Sequence, residues 1–140
     1  MQMKHYAVID TNVFVSALLT KHAYSPTVLI VEKLFDNTVV PVFCKTILDE
    51  YAEVLHRKKF GFNPATVSEF LHAVKQLGVL LEPEQTDVIL PDMKDVPFYA
   101  VTLTHGENDT YLVTGNLKHF PVKPFIVTPA QFLEILAKEN

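Results

Sequence analysis

The sequence holds a single cysteine, Cys44, among its 140 residues, so no disulfide can form within the chain, and a reducing cytosol suits it. It has no surplus of positive charge: 16 acids face 12 bases, giving a formal charge of -4 and a pI near 5.8. No overall basic field attracts nucleic acid, so a polyanion must be handled by a local site. No apolar run approaches the ~18 residues of a membrane span, and the stretch from Val28 to Val31 stops at Glu32 and Lys33. Met1 to His5 lead into an apolar strand without a small-residue cleavage site, which argues against a signal peptide and for a cytoplasmic protein. No glycine-rich phosphate loop occurs, which disfavours nucleoside triphosphate and dinucleotide binding. His5, His22, His56, His72, His105 and His119 show no paired ligand spacing, which argues against zinc and leaves most of them as surface or packing residues. No internal repeat is visible, and the length fits one domain over 1–140.

Apolar residues, in contrast, make up 49% of the chain, enough for a core and too many for a disordered segment. Lys4 to Ile9 reads as a short strand that stops at Asp10, and Val13 to Leu19 continues as a helix. Ser25-Pro26 starts a second helix through Phe35. Thr38 to Phe43 is β-branched, and Pro41 marks it as a short or edge strand. From Thr46, Ile47, Leu48, Tyr51, Val54 and Leu55 recur at helical spacing, and this helix is expected to end in His56-Arg57-Lys58-Lys59, closed by Gly61. Asn63-Pro64 opens another helix with the stripe Val67, Phe70, Leu71, Val74 and Leu77, ended by Gly78. Val79 to Leu81 is a candidate strand and Glu82 to Pro91 a loop. Asp95 with Pro97 starts an apolar helix through His105, ended by Gly106. Tyr111 to Thr114 and Phe125 to Thr128 are further strands, and Pro129 opens a last helix over Phe132, Leu133 and Leu136. Alternating strands and helices, with strands apolar on both faces, predict a mostly parallel α/β sheet with helices on each side.

Ligands of open α/β sheets bind beyond the carboxyl ends of the strands. Asp10-Thr11-Asn12 and Thr114-Gly115-Asn116 stand there, although Asp10 can also be a helix cap and Gly115-Asn116 a plain turn. On the Thr46 helix, at ~100° per residue, Asp49 and Glu53 point away from the apolar stripe, while Glu50 lies at its border and can reach across a cleft. Asp92 and Asp95 precede a helix that is apolar nearly all round; Asp95 can be a cap there and Asp92 a turn residue. If Asp10, Glu50 and Asp95 converge, their charges repel unless their pKa values rise or a divalent cation binds, and Mg²⁺ or Mn²⁺ prefers such hard oxygen ligands. The implied chemistry is metal-assisted attack on a phosphate, with the Thr11 and Thr114 hydroxyls holding water or phosphate. Cys44, inside a strand pattern, reads as a buried small hydrophobe rather than a nucleophile.

Val8-Ile9-Asp10-Thr11-Asn12-Val13-Phe14, Leu48-Asp49-Glu50-Tyr51, Asp95-Val96-Pro97-Phe98 and Val113-Thr114-Gly115-Asn116, taken in order, resemble the PIN-domain nucleases over nearly the whole chain. The run from Thr114 to Phe120 is similar to the branch described as toxins of bacterial and archaeal toxin-antitoxin systems. The resemblance implies a three-layer α/β/α fold, Asp10, Glu50 and Asp95 as metal-binding acids, and Mg²⁺- or Mn²⁺-dependent endoribonuclease activity. Where the wider family commonly has an acid after the Thr-Gly pair, Asn116 stands here, so one ion is expected on the free protein unless Asp92 or substrate phosphate supplies a missing oxygen. Setting aside Asp10, Glu50, Asp92 and Asp95 leaves 12 acids against 12 bases, so the whole acidic excess fits one site. RNA would then meet Arg57, Lys58 and Lys59, or Lys118, His119 and Lys123. An antitoxin or a second copy of the chain could cover the apolar positions from Val67 to Leu77, which core packing explains equally well. Two other readings remain: a catalytically silent RNA- or antitoxin-binding module, motivated by Asn116, and a haloacid-dehalogenase-type phosphatase. That phosphatase family's second aspartate is Asn12 here.

Overall fold

Short apolar runs form the strands and longer stretches the helices, two of which open on a side-chain cap, Asn63 and Thr128. The computed structural model describes residues 5–139. Its strands are β1 (His5–Ile9), β2 (Val39–Phe43), β3 (Val79–Leu80), β4 (Thr110–Val113) and β5 (Ile126–Val127). Its helices are α1 (Thr11–Leu19), α2 (Pro26–Phe35), α3 (Lys45–Leu55), α4 (Pro64–Leu77), α5 (Val96–His105) and α6 (Pro129–Lys138). All strand pairs are parallel, in the order β3-β2-β1-β4-β5, and the helices complete a three-layer α/β/α sandwich. The expected Lys4 lies outside the described residues.

The chain builds outward from β1 through β2 to β3, then crosses back to place β4 on the other side of β1. The strand order therefore reverses between β1 and β4, and the crevice beyond their carboxyl ends is the place where this class of sheet binds ligands. In register, Ile9 pairs with Val113, and the Asp10 N–H donates to the Val113 carbonyl at 2.9 Å, so the residues following both strands are locked side by side.

Burial explains the strand composition. Ala7, Val8, Ile9, Val42, Phe43, Leu112 and Val113 are buried, as parallel strands covered on both faces must be. α2 packs against α1, α4 and α6, and α5 packs against β1, β2 and β4. On α4, Val67 and Val74 are buried, Phe70 and Leu71 pack against the core, and the Phe70 ring meets Phe14 and Phe35 edge-on. The apolar face of α4 is thus filled by the chain's own core.

Four local expectations need correction. Pro41 does not mark an edge: β2 lies inside the sheet, with Pro41 opposite Ala7. The proline is tolerated because its carbonyl, and so its nitrogen, faces β3, where pairing begins only at Val42 with Val79. At Gly78 that carbonyl and the Phe43 ring come so close that a Cβ would stand 2.6 and 2.3 Å from them, so only glycine fits. Cys44 is buried but lies after β2, at the start of α3. α3 ends at Leu55, before the basic cluster, and Lys58–Phe60 form a separate 3-10 turn closed by Gly61 in the left-handed region at φ 68°. α1 begins at Thr11 rather than Val13, directly behind Asp10.

Candidate active site

Asp10 is the residue that β1 delivers to the reversal point, and it is 6% exposed. It sits at the N-cap position of α1, yet its side chain makes no cap hydrogen bond. The Thr114 hydroxyl, from the end of β4, instead donates to Asp10 Oδ2 at 2.7 Å, and Asn12 Nδ2 approaches the same oxygen at 3.4 Å. Asn12 also accepts from the Gly115 N–H at 3.3 Å, tying the β1 and β4 loops together. Burial, and next the charge of Asp95, push the Asp10 carboxyl up to about 6, against the lowering effect of the Thr114 hydrogen bond.

Glu50 reaches this corner from α3. Its helix is held to the end of β1 by its neighbour Tyr51, fully buried, whose hydroxyl donates to the Ile9 carbonyl. The Thr11 hydroxyl donates to Glu50 Oε2. Burial raises the Glu50 carboxyl, as do Asp10 and Asp92, while Lys94 opposes them. Asp49 and Glu53 point to solvent and pair with Lys45 and Arg57, each at 2.8 Å.

Asp95 completes the set. Like Asp10 it stands at an N-cap position, of α5, without capping. Its Oδ2 lies 2.9 Å from His119 Nδ1, and its carboxyl is raised by burial and by the nearby charges of Asp92 and Glu50. Asp92 is exposed, and its own side chain accepts from the Lys94 N–H at 3.0 Å; it is the turn residue that the sequence allowed, close enough for its charge to be felt. Asn116 presents Nδ2 to His119 Nε2 at 2.9 Å and faces that ring rather than an acid.

Asp10, Glu50 and Asp95, drawn from β1, α3 and the start of α5, therefore act on one another electrostatically. Among the described residues, no three His, Cys, Asp or Glu side chains already stand close enough to hold one ion. Each of the three acids ties one oxygen to a neighbour, namely Thr114, Thr11 or His119, and its other oxygen carries no side-chain hydrogen bond. Hard oxygen donors, each held from behind and each raised above its ordinary value, suit a divalent cation by chemistry.

A PIN-domain family model matches residues 6–118. The chain belongs to the PIN-domain family. No curated protein matches it, and no solved structure does. PIN domains are nuclease folds that act on nucleic acids and usually employ divalent metal ions, so membership supports a hydrolase and gives no ground for the phosphatase alternative.

The cations of this PIN domain divide by position. Arg57 is paired with Glu53, and Lys59 lies 5.1 Å from the centroid of the Phe60 ring, so within that patch Lys58 alone has no such partner among the described contacts. His119 stands against Asp95, with Nδ1 2.9 Å from its Oδ2. Lys118 is exposed on the same turn, Leu117–His119. Lys123 lines a hollow with Glu107 and Tyr111 near the start of β4, away from the acids. Sequence reasoning passed over Lys94, whose charge acts on both Glu50 and Glu53; its place between Asp92 and Asp95 in the chain was the available signal. It also passed over Tyr51 as the anchor of Glu50. Among the described residues, no helix is long and apolar enough to cross a membrane.

Proposed function

We propose that this PIN domain, a single unit over 1–140, is a divalent-metal-dependent endoribonuclease working with Mg²⁺ or Mn²⁺. We further propose that it is the toxin of a toxin-antitoxin pair in the cytoplasm. The observation that carries the reading is Asp10: a carboxyl buried at the strand-order reversal, raised to about 6 and held by Thr114, with Glu50 and Asp95 acting on it or on each other. A group of this kind costs stability when ionised, and a cation offsets that cost. Asp10, Glu50 and Asp95 would hold the ion. When bound, it would polarise a phosphoryl oxygen of RNA and lower the pKa of a coordinated water.

The chain's own part is to bind and orient. Thr114 and Thr11 fix one oxygen of Asp10 and of Glu50, which would leave the other oxygen of each carboxylate for an ion. Lys94 and Arg57, whose charges reach Glu50, together with Lys58, Lys59 and Lys118, meet the phosphates flanking the scissile bond. Asn116, in the position of the family's fourth acid, limits the free protein to one ion, and calorimetry with Mn²⁺ is expected to give one tight site.

The decisive assay is cleavage of an RNA with Mg²⁺ or Mn²⁺, compared with EDTA and with Asp10→Asn. Cleavage only in the first case supports the reading; equal cleavage in all three sinks it. Asn116 also favours a second reading, a silent RNA- or antitoxin-binding module, which predicts RNA binding without cleavage at any metal concentration. An antitoxin partner and a homodimer belong to the proposal. A small antitoxin-like reading frame beside the gene would support the former, and sedimentation would measure the latter.

A further inference from the structure

The turn after β4 carries a feature that neither the metal nor the phosphate role uses. Leu117–His119 form a 3-10 turn, opened by the His119 N–H donating to the Asn116 carbonyl at 3.1 Å. At three residues per turn, side chains at i and i+3 eclipse, so Asn116 and His119 are stacked on one side of it. The imidazole is then gripped at both nitrogens: Nδ1 lies 2.9 Å from Asp95 Oδ2, and Nε2 lies 2.9 Å from Asn116 Nδ2.

With Nδ2 as the Asn116 atom facing the ring, hydrogen-bond chemistry assigns the tautomer. An ionised carboxylate only accepts, so Nδ1 carries the proton; an amide nitrogen only donates, so Nε2 presents its lone pair. A carboxylate at position 116 could not donate to Nε2. The same turn is anchored at its other end, where the Asn116 N–H donates to Thr114 Oγ1 at 3.0 Å and that hydroxyl donates to Asp10. One loop thus touches two acids, Asp10 through Thr114 and Asp95 through His119.

We infer that His119, locked by Asn116 as the Nδ1–H tautomer, is a positioning residue that aims the Asp95 carboxylate at the divalent ion. On this inference Asn116 is more than a lost ligand, because its amide does what the family's acid at that position could not. The inference rests on the metal-dependent reading of the same site, and a partner group behind a ligating side chain commonly governs metal affinity.

Two readouts test it without an activity assay. The first is the pair of ring nitrogen shifts of His119 at pH 8 in metal-free protein. Wild type is expected to show a protonated Nδ1 and a bare Nε2, and Asn116→Ala a mixture of tautomers. A proton on Nε2 in wild type, whether as the other tautomer or as an imidazolium facing a turned amide oxygen, overturns the lock and needs no variant to fold. The second is Mn²⁺ affinity by calorimetry. His119→Ala is expected to weaken binding by about tenfold or more. His119→Asn, whose amide N–H can occupy the place of Nδ1–H, should recover most of it. If His119→Ala binds as wild type does, or His119→Asn is no better than His119→Ala, the positioning role falls while the metal site stands. If wild type binds no Mn²⁺ through Asp10, the metal-dependent reading falls and takes the positioning role with it.

Discussion

Asp10 and Asp95 occupy equivalent local positions and lead different lives. Both stand at the N-cap position of a helix, α1 and α5, and neither side chain caps it. Asp10 hangs from the end of β1, hydrogen-bonded through its own N–H into β4, so the ladder of the sheet fixes its place and its carboxyl is buried. Asp95 ends the short 3-10 turn Met93–Asp95, its side chain 13% exposed, and its Oδ2 lies 2.9 Å from Nδ1 of His119 on another loop. A carboxylate at a strand end is placed by the backbone ladder, whereas one on a turn is held chiefly through its side chain.

The largest test of this contrast is catalytic. Asp10→Asn is expected to lower RNA cleavage by about a thousandfold or more and Asp95→Asn by roughly a hundredfold, as single-turnover rates in Mn²⁺ would measure. Equal losses would erase the distinction.

Stability should move in the opposite sense. The ionised form of Asp10 is disfavoured in the folded state, so Asp10→Asn should stabilise metal-free protein at pH 8 by roughly 2 to 3 kcal/mol. Asp95→Asn should give a smaller gain, and denaturant melts in EDTA measure both.

The pH dependence follows from the same sign. A carboxyl raised from 3.8 to about 6 on folding makes the native state bind more protons than the unfolded chain. The contribution is fully present below the unfolded value and lost as pH rises through about 6. Melting in EDTA is therefore expected to fall by about 5 °C between pH 5 and pH 8, and Mn²⁺ at pH 8 to restore it. Thr114→Val removes a hydrogen bond that favours the Asp10 carboxylate, and should move the acid limb of the cleavage pH profile upward. An unmoved limb would detach Asp10 from that limb.

The smallest effect lies outside both corners. Replacing Arg57, Lys58 and Lys59 together by alanine should weaken RNA binding by only about tenfold and flatten its salt dependence by about one to two phosphates, because Arg57 already serves Glu53 and Lys59 lies over Phe60. Unchanged affinity would dismiss the patch.

Much of the fold was legible because its signals are local. The β-branched runs, the Asn63-Pro64 and Thr128-Pro129 helix starts and the apolar stripes each lie within a dozen residues, and Thr128 with Gln131 completes a capping box. Glu50 stood out from Asp49 and Glu53 by helical phase alone. Other features were hidden for reasons that no local window holds. Pro41 looks like an edge signal until the register shows that its missing donor faces a stretch of β2 that β3 has not yet reached. His119 looks like a surface cation until α5 brings Asp95 to it, 24 residues away in sequence. Lys94 and Tyr51 gain their meaning only beside Glu50 and Ile9.

The sequence by itself determined which segments are strands and helices and which acids follow them, because periodicity, caps and strand ends are written between near neighbours. Only the tertiary structure decided that Thr114 holds Asp10, that His119 holds Asp95 and that the acids raise one another. Hydrogen bonds and Coulomb interactions depend on distance in space, and only the packed sheet, with β4 laid against β1, sets those distances.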